Sequence, residues 1–274
     1  MRIDSHQHFW KYHPVKDAWI TDEMKVIQRD FMPEDLRPVL GENDIDGCVA
    51  VQADQSEAET NFLLQCADEN DFIKGVVGWI DLRADDLEDK LHSCLLNKKL
   101  KGFRHIVQAE PDGFLLQGKF IEGVKLLHQF EYTYDILIHN RQLKETLQFI
   151  NKLPAQKLII DHCAKPCIRN KEITDWSAGI KEIAANENVY CKVSGLITEA
   201  DWYQWNEKNI YPYLDIVFDA FGEKRILFGS DWPVILLAGN YSRWITVVNN
   251  YFKNFNEEIK QRFWGQNAIE FYSL

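Results

Sequence analysis

The chain has no apolar run approaching the roughly 20 residues that a helix needs to cross a bilayer. It is short of positive charge. Its 31 Lys and Arg stand against 42 Asp and Glu, and the net charge of −11 argues against nucleic acid and anionic membrane surfaces as partners. There is no C-x-x-C pair among its six cysteines; Cys163 and Cys167 lie four apart around Pro166, a weak zinc signal. The cysteines therefore read as reduced thiols of a reducing compartment. No basic start followed by an apolar core opens the chain, so no signal peptide is expected and a cytoplasmic location is. Gly/Ser-rich and Pro-rich linkers and low-complexity segments are missing, which predicts one domain over residues 1–274. No G-x-G-x-x-G occurs after an apolar run, which removes the dinucleotide-binding fingerprint.

What is present is alternation. Apolar, β-branched runs begin at Ile3, Gly47, Lys74, Leu100, Tyr134, Lys157, Val189 and Arg225. Most are continuous rather than alternating, as in parallel strands covered on both faces. Helical stripes lie between them: Phe62, Leu63, Cys66 and Ala67 in Glu59–Glu69, then Leu87, Leu91, Cys94 and Leu95 in Asp86–Leu96, then Leu143, Leu147 and Ile150 in Arg141–Lys152. Eight strand–helix units predict an α/β protein, a single (β/α)8 TIM barrel. Two long aromatic excursions interrupt the repeat. One runs from Trp10 to Pro33 with Trp10, Tyr12, Trp19 and Phe31; the other carries Trp202, Tyr203, Trp205, Tyr211 and Tyr213. They read either as lids over the barrel mouth or as loops packed on themselves.

The polar residues fall at strand ends. His6 and His8 close the first run, with Asp4 sharing their parity on an ideal strand. His105 lies late in the fourth, His139 ends the fifth, His162 the sixth and Asp231 the eighth. In a parallel barrel all these ends open on one face, where such folds build their sites. Gln52, Trp79, Arg104, Asn140, Arg141 and Ser194 occupy similar positions. Arg104 is either a ligand-binding cation or the partner of a neighbouring acid.

In five segments the sequence resembles the amidohydrolase superfamily: Asp4-Ser5-His6-Gln7-His8, His139, Asp161-His162 with Lys165-Pro166, Gly229-Ser230-Asp231-Trp232-Pro233, and Gly265-Gln266-Asn267-Ala268 followed by Phe271-Tyr272. The resemblance spans the chain and is nearest to the sugar-acid lactonase branch, that of L-fuconolactonase and L-rhamnonolactonase, beside the 2-pyrone-4,6-dicarboxylate lactonases. It implies a hydrolase of carboxylic ester bonds acting on a small-molecule lactone. Asp231 would be the base for water, His6, His8, His162 and Arg104 would polarise the carbonyl, and His139 would orient water or substrate. Gln52, Trp79, Arg141 and Trp10 join Arg104 as expected substrate contacts.

Binuclear members of the superfamily carry a bridging lysine or glutamate at the end of strand four, where this chain reads Phe103-Arg104-His105-Ile106. The resemblance therefore implies either no required metal or one divalent ion, Zn²⁺ suiting His6, His8, His139 and Asp231 best. Other readings of the same residues are a metal-dependent decarboxylase, an amide or phosphoester hydrolase, and a non-enzymatic sugar-binding barrel. The substrate's stereochemistry is not legible in the sequence, and a homo-oligomer is left open.

Overall fold

The computed structural model describes all 274 residues. Eight parallel strands follow one another around a single sheet in sequence order. They are β1 (Ile3–Gln7), β2 (Gly47–Val51), β3 (Ile73–Gly78), β4 (Leu100–His105), β5 (Thr133–Ile136), β6 (Leu158–Ile160), β7 (Val189–Val193) and β8 (Ile226–Phe228). The main helices between and after them are α1 (Pro33–Glu42), α2 (Glu57–Glu69), α3 (Leu87–Cys94), α4 (Gly118–Gln129), α5 (Leu143–Ile150), α6 (Thr174–Ala184), α7 (Glu207–Phe221) and α8 (Tyr241–Phe252), with short α9 (Glu257–Gln261) and α10 (Asn267–Tyr272) closing the chain. This is the (β/α)8 barrel that the strand–helix alternation predicts. Every expected strand forms, but most stop one to three residues before the polar residue assigned to their ends.

The barrel closes between β8 and β1. The Asp231 amide donates to the His6 carbonyl at 2.8 Å, and the His8 amide donates to the Trp232 carbonyl at 2.7 Å. Ser5 Oγ adds a bond to the Phe228 carbonyl at 2.6 Å. Within β1 the register against β2 slips between Asp4 and Gln7, the signature of a bulge. The extra residue breaks the simple parity of the strand. Ile3 packs in the barrel interior with Val49, Val51, Val77, Ile159 and Leu227. His6 also points inward, yet Asp4 does not join it. Asp4 faces β8 and α8, accepting from the Ser230 amide at 2.9 Å, the His6 amide at 3.1 Å and the Tyr241 hydroxyl at 3.0 Å. Its burial pushes its carboxyl up to about 6, against the pull of the Ser230, His6 and Tyr241 hydrogen bonds.

The floor of the barrel is filled by the C-terminal helix. Ala268, Phe271 and Tyr272 pack under the six interior aliphatics named above. No helix is long and apolar enough to cross a membrane. All six cysteines are free thiols.

The Asp4 clamp is testable. Replacing it with alanine strips partners from three buried donors, each worth about 1–3 kcal/mol when left unpaired. Asp4→Ala should lower the unfolding free energy by roughly 3 kcal/mol or more, and Asp4→Asn by clearly less, read as shifts in urea midpoint at constant m-value.

Candidate active site

Four segments meet at the C-terminal mouth. β1 and the residue beyond it bring His6 and His8. β4 brings Arg104, the turn after β6 brings His162, and the turn after β8 brings Asp231. His6 Nε2 lies 3.2 Å from His8 Nε2 and 3.2 Å from Arg104 Nη1. Asp231 Oδ1 faces all three rings, at 3.4 Å from His8 Nε2, 3.8 Å from His162 Nε2 and 3.9 Å from His6 Nε2. A cavity of ≈ 280 Å³ opens above this cluster, and its wall includes His8, Arg104, His162 and Asp231. Burial alone would raise the Asp231 carboxyl, but His162, the His8 hydrogen bond and His6 outweigh it and hold the group below the usual carboxylate range. His162 is pushed down to about 4, chiefly by burial against the pull of Asp231 and Asp161. At neutral pH Asp231 is thus an ionised carboxylate beside a neutral His162 ring.

A buried ionic layer supports the cluster from below. Lys192 on β7 is fully buried and reaches Asp161 at 3.0 Å, Asp135 and His6 Nδ1 at 3.2 Å. Arg104 Nη1 meets Asp161 Oδ2 at 3.0 Å, and its Nη2 donates to the Gln52 carbonyl. The Tyr272 hydroxyl, rising from α10, donates to Asp135 at 2.7 Å. Burial raises Asp135 to about 6, partly offset by Lys192. Asp161 is also buried, but Lys192, His6 and Arg104 together hold it well below the ordinary value. Burial and the Lys192 charge drive His6 well below its usual range despite Asp161, so the ring is neutral. These charges cannot separate cheaply, and they fix where the His6 ring sits.

The turn after β6 is conformationally unusual. His162, Cys163, Ala164 and Lys165 all have φ between 48° and 57°. Left-handed backbone costs roughly 1–2 kcal/mol for each residue carrying a Cβ. Packing holds it: the Lys165 amide returns to the His162 carbonyl at 2.8 Å, and the Trp176 indole donates to the Cys163 carbonyl at 2.7 Å. His162 Nδ1 pairs with Ser194 Oγ at 2.9 Å. Gly195, with φ of 64°, lies against the same ring, and a Cβ there would sit 2.6 Å from His162 Nδ1. The result of this turn is that both His162 and Lys165 line the cavity.

Other expected site residues sit elsewhere. His139 is half-buried and joins no group of ligand atoms within 4.8 Å, nor does it line the cavity. The reason is that β5 ends at Ile136, so His139 instead opens the short turn Asn140–Gln142, its amide held by Gln142 Oε1 at 3.0 Å. Burial, with Lys165 and Arg141 adding to it, lowers its pKa. Arg141 is exposed and paired with Asp112. The Trp79 indole donates to His105 Nδ1 at 3.3 Å, away from the cavity. His105 is a packing residue, stacked on Phe114 at 4.7 Å and bonded to Glu110 at 2.8 Å. Gln52 supports Arg104 from both sides, accepting its Nη2 and donating to its carbonyl at 3.1 Å. Of the aromatic excursions, Trp10 and Trp19 line the cavity; Trp202, Tyr203, Trp205, Tyr211 and Tyr213 do not. Sequence reasoning did not single out Gln55, Gln108 or the Lys192–Asp135 pair. Lys192 and Asp135 had a visible signal, being charged residues inside otherwise apolar strands.

His8 Nδ1 lies 2.7 Å from the Val51 carbonyl, which can only accept, so that nitrogen carries the proton and Nε2 is bare. Arg104 Nη1 donates into the single lone pair of His6 Nε2 at 3.2 Å, so His6 joins His8 and Asp231 around an ion only by giving up that hydrogen bond. Their ligand atoms lie within 4.8 Å of one another. Two imidazoles and a carboxylate with an open fourth position fit a single zinc-like ion, backed by a hydrogen-bonded second nitrogen on His8. His139 is outside this set.

Residues 3–274 match the family model described as amidohydrolase. The chain belongs to the amidohydrolase family. This amidohydrolase is 38% identical over 286 residues to an L-fucono-1,5-lactonase of Burkholderia multivorans, covering 100% of this chain and 96% of that protein. It is 34% identical to an L-fucono-1,5-lactonase of Burkholderia ambifaria, again over 100% of this chain and 96% of the relative. A crystal structure of a Burkholderia multivorans amidohydrolase with bound Zn superposes with a TM-score of 0.97 at 38% identity, covering 100% of this chain and 99% of the other.

The ionic layer makes a prediction for the amidohydrolase. Lys192→Met leaves two buried carboxylates without their shared cation, and breaking a buried pair from one side costs about 3–5 kcal/mol. Thermal unfolding should fall accordingly. Adding Asp135→Leu, which removes one stranded charge, should recover part of the loss; a single variant as stable as the parent would refute the bridging role.

Proposed function

We propose that this amidohydrolase is a lactonase that opens L-fucono-1,5-lactone or a close sugar-acid lactone. The observation that carries the reading is the Asp231 carboxylate, ionised, facing three imidazoles and lining a small cavity. Full-length identity of 38% to a protein named for that activity supports the substrate class. A cavity of ≈ 280 Å³ is at the lower edge of the roughly 300–1,000 Å³ typical of small-molecule sites and suits one sugar ring.

The reaction needs three things from the chain. Water must lose a proton as its oxygen attacks the lactone carbonyl carbon, and the cavity-lining Asp231 carboxylate is the acceptor for that proton. Charge then builds on the carbonyl oxygen, where hydrogen-bond donors and cations lower the barrier. Arg104, fixed by Asp161 and Gln52, is the cation facing that space, and the His162 ring lines it as well. Finally the carbonyl carbon releases the ring oxygen, which takes the proton back from Asp231. The product is an open hydroxy acid, which ionises and releases one proton to solution.

His6, His8 and Asp231 would hold a divalent ion, and when bound it would polarise the carbonyl and make water more acidic. That contribution matters because a carboxylate held below its usual range is a weak base. The chain's own part is unchanged by it: to hold the lactone, orient water and carry the proton.

Asp231→Asn is the test. General-base catalysis supplies about 10²–10⁴-fold in rate. The variant should lose that much in kcat on L-fucono-1,5-lactone, followed with a pH indicator, with KM changing far less and the melting temperature near the parent's. Wild-type kcat in the folded variant would reject Asp231 as the base. Chelator treatment followed by Zn²⁺ should restore the parent's rate but not the variant's.

A further inference from the structure

The wall of the mouth cavity carries two cations, Arg104 and Lys165, and one carboxylate, Asp231. A protein of net charge −11 thus keeps a cation in excess at its proposed site. The lactone chemistry above uses Arg104 and Asp231. It gives Lys165 no task, and a neutral lactone brings no charge for it to meet.

The two cations are not equivalent. Arg104 is committed: its Nη1 meets Asp161 Oδ2 at 3.0 Å and His6 Nε2 at 3.2 Å, and its Nη2 donates to the Gln52 carbonyl. The Lys165 ammonium has Glu199 as its counter-ion at 3.9 Å, beyond hydrogen-bond distance. Both of these side chains keep some exposure, 19% for Lys165 and 25% for Glu199. A partly solvated pair at that separation is weak, and a ligand carboxylate can take the place of Glu199. The lysine stem is flexible and ends in a point charge, which suits such an exchange.

The fold fixes where this charge stands. Lys165 ends the left-handed turn after β6, with its amide bonded to the His162 carbonyl at 2.8 Å. Glu199 lies in the turn Ile197–Glu199 after β7, and its carbonyl accepts from the Arg169 amide at 3.0 Å. The Lys165 charge is near enough to lower the pKa of His162, and Glu199 in turn feels Asp231. Lys165 therefore stands beside the His162–Asp231 pair, where the proposed attack takes place.

Opening the ring changes the charge of the ligand. The water oxygen joins the carbonyl carbon, the bond from that carbon to the ring oxygen breaks, and the acid so formed gives up its proton. Resting on the lactonase reading, we propose that Lys165 is the carboxylate-binding residue of the site, its ammonium pairing with the carboxylate of the open hydroxy acid and so separating product from substrate by charge.

The experiment measures how L-fuconate and L-fucitol inhibit hydrolysis of L-fucono-1,5-lactone by the parent, Lys165→Met and Lys165→Arg. L-Fucitol keeps the hydroxyls and lacks the carboxylate. Both replacements carry a Cβ as lysine does, so the left-handed backbone is no harder to hold, and melting temperatures check this. Lys165→Met should raise the inhibition constant of L-fuconate roughly 10- to 100-fold, the size of a lost charge-assisted hydrogen bond. KM for the neutral lactone and the inhibition constant of L-fucitol should shift far less. Lys165→Arg, which keeps the charge, should stay nearer the parent. Added salt should weaken L-fuconate inhibition of the parent more than of Lys165→Met. An unchanged inhibition constant in Lys165→Met would mean that the ammonium stays with Glu199. A parallel rise for L-fuconate, L-fucitol and KM would mean that it serves the shared hydroxyls or the fold. Either result overturns the proposal, as does a parent that L-fuconate does not inhibit. If the parent hydrolyses no lactone, the lactonase reading fails instead. Calorimetric titration of L-fuconate into the parent and Lys165→Met then decides for Lys165, with absent or unchanged binding as the refutation.

Discussion

The mouth of this barrel depends on how its sheet closes. β8 and β1 are joined by a few backbone bonds, and the Asp4 carboxylate holds both sides of that seam through the His6 and Ser230 amides. The bulge in β1 makes this possible. One added residue sends Asp4 outward to the seam and turns His6 inward, so a single five-residue strand both closes the cylinder and supplies its central imidazole. Asp231 follows Ser230 and donates its amide to His6. The spacing of the proposed base from the histidines is therefore set by backbone closure rather than by side-chain chance.

Below the mouth, the barrel interior changes from apolar to ionic. The lower layer is Ile3, Val49, Val51, Val77, Ile159 and Leu227. The upper layer holds Lys192, Asp135, Asp161, Arg104 and His6, all buried. Such an arrangement gains little stability over a hydrocarbon core. What it provides is definition: Lys192, Asp161, Arg104 and His6 each meet at least two of the others, Asp135 is held by Lys192 and Tyr272, and a neutral His6 is held with both nitrogens engaged. The left-handed turn from His162 to Lys165 is a second local expense at the same end of the barrel, and strain of this kind collects where function needs an otherwise disfavoured geometry.

Much of this was legible in the sequence. Eight apolar runs alternating with helical stripes are enough to give the barrel, and strand-end placement was enough to bring His6, His8, His162, Arg104 and Asp231 together. Three features escaped for physical reasons. A bulge leaves no mark in an apolar–polar pattern, so Asp4 was given the parity of its neighbours. A strand's end is set by where hydrogen bonding stops, so the three-residue shortfall of β5 that carries His139 away was invisible. Left-handed turns are normally announced by glycine, and His162-Cys163-Ala164-Lys165 contains none. Gln55 and Gln108 are ordinary glutamines until the cavity surrounds them.

The plug formed by α10 has a consequence for traffic. With Ala268, Phe271 and Tyr272 packed across the lower end, the barrel axis is a blind well with one opening. A lactone and the hydroxy acid made from it must use the same passage, beside Trp10 and Trp19. A second molecule cannot enter until the first has left. The two species differ in charge: what goes in is neutral and what comes out is an anion, facing a protein of net charge −11. At the site itself the anion meets Arg104 and Lys165 as well as Asp231, so its release has to break contacts that the neutral lactone does not make as strongly.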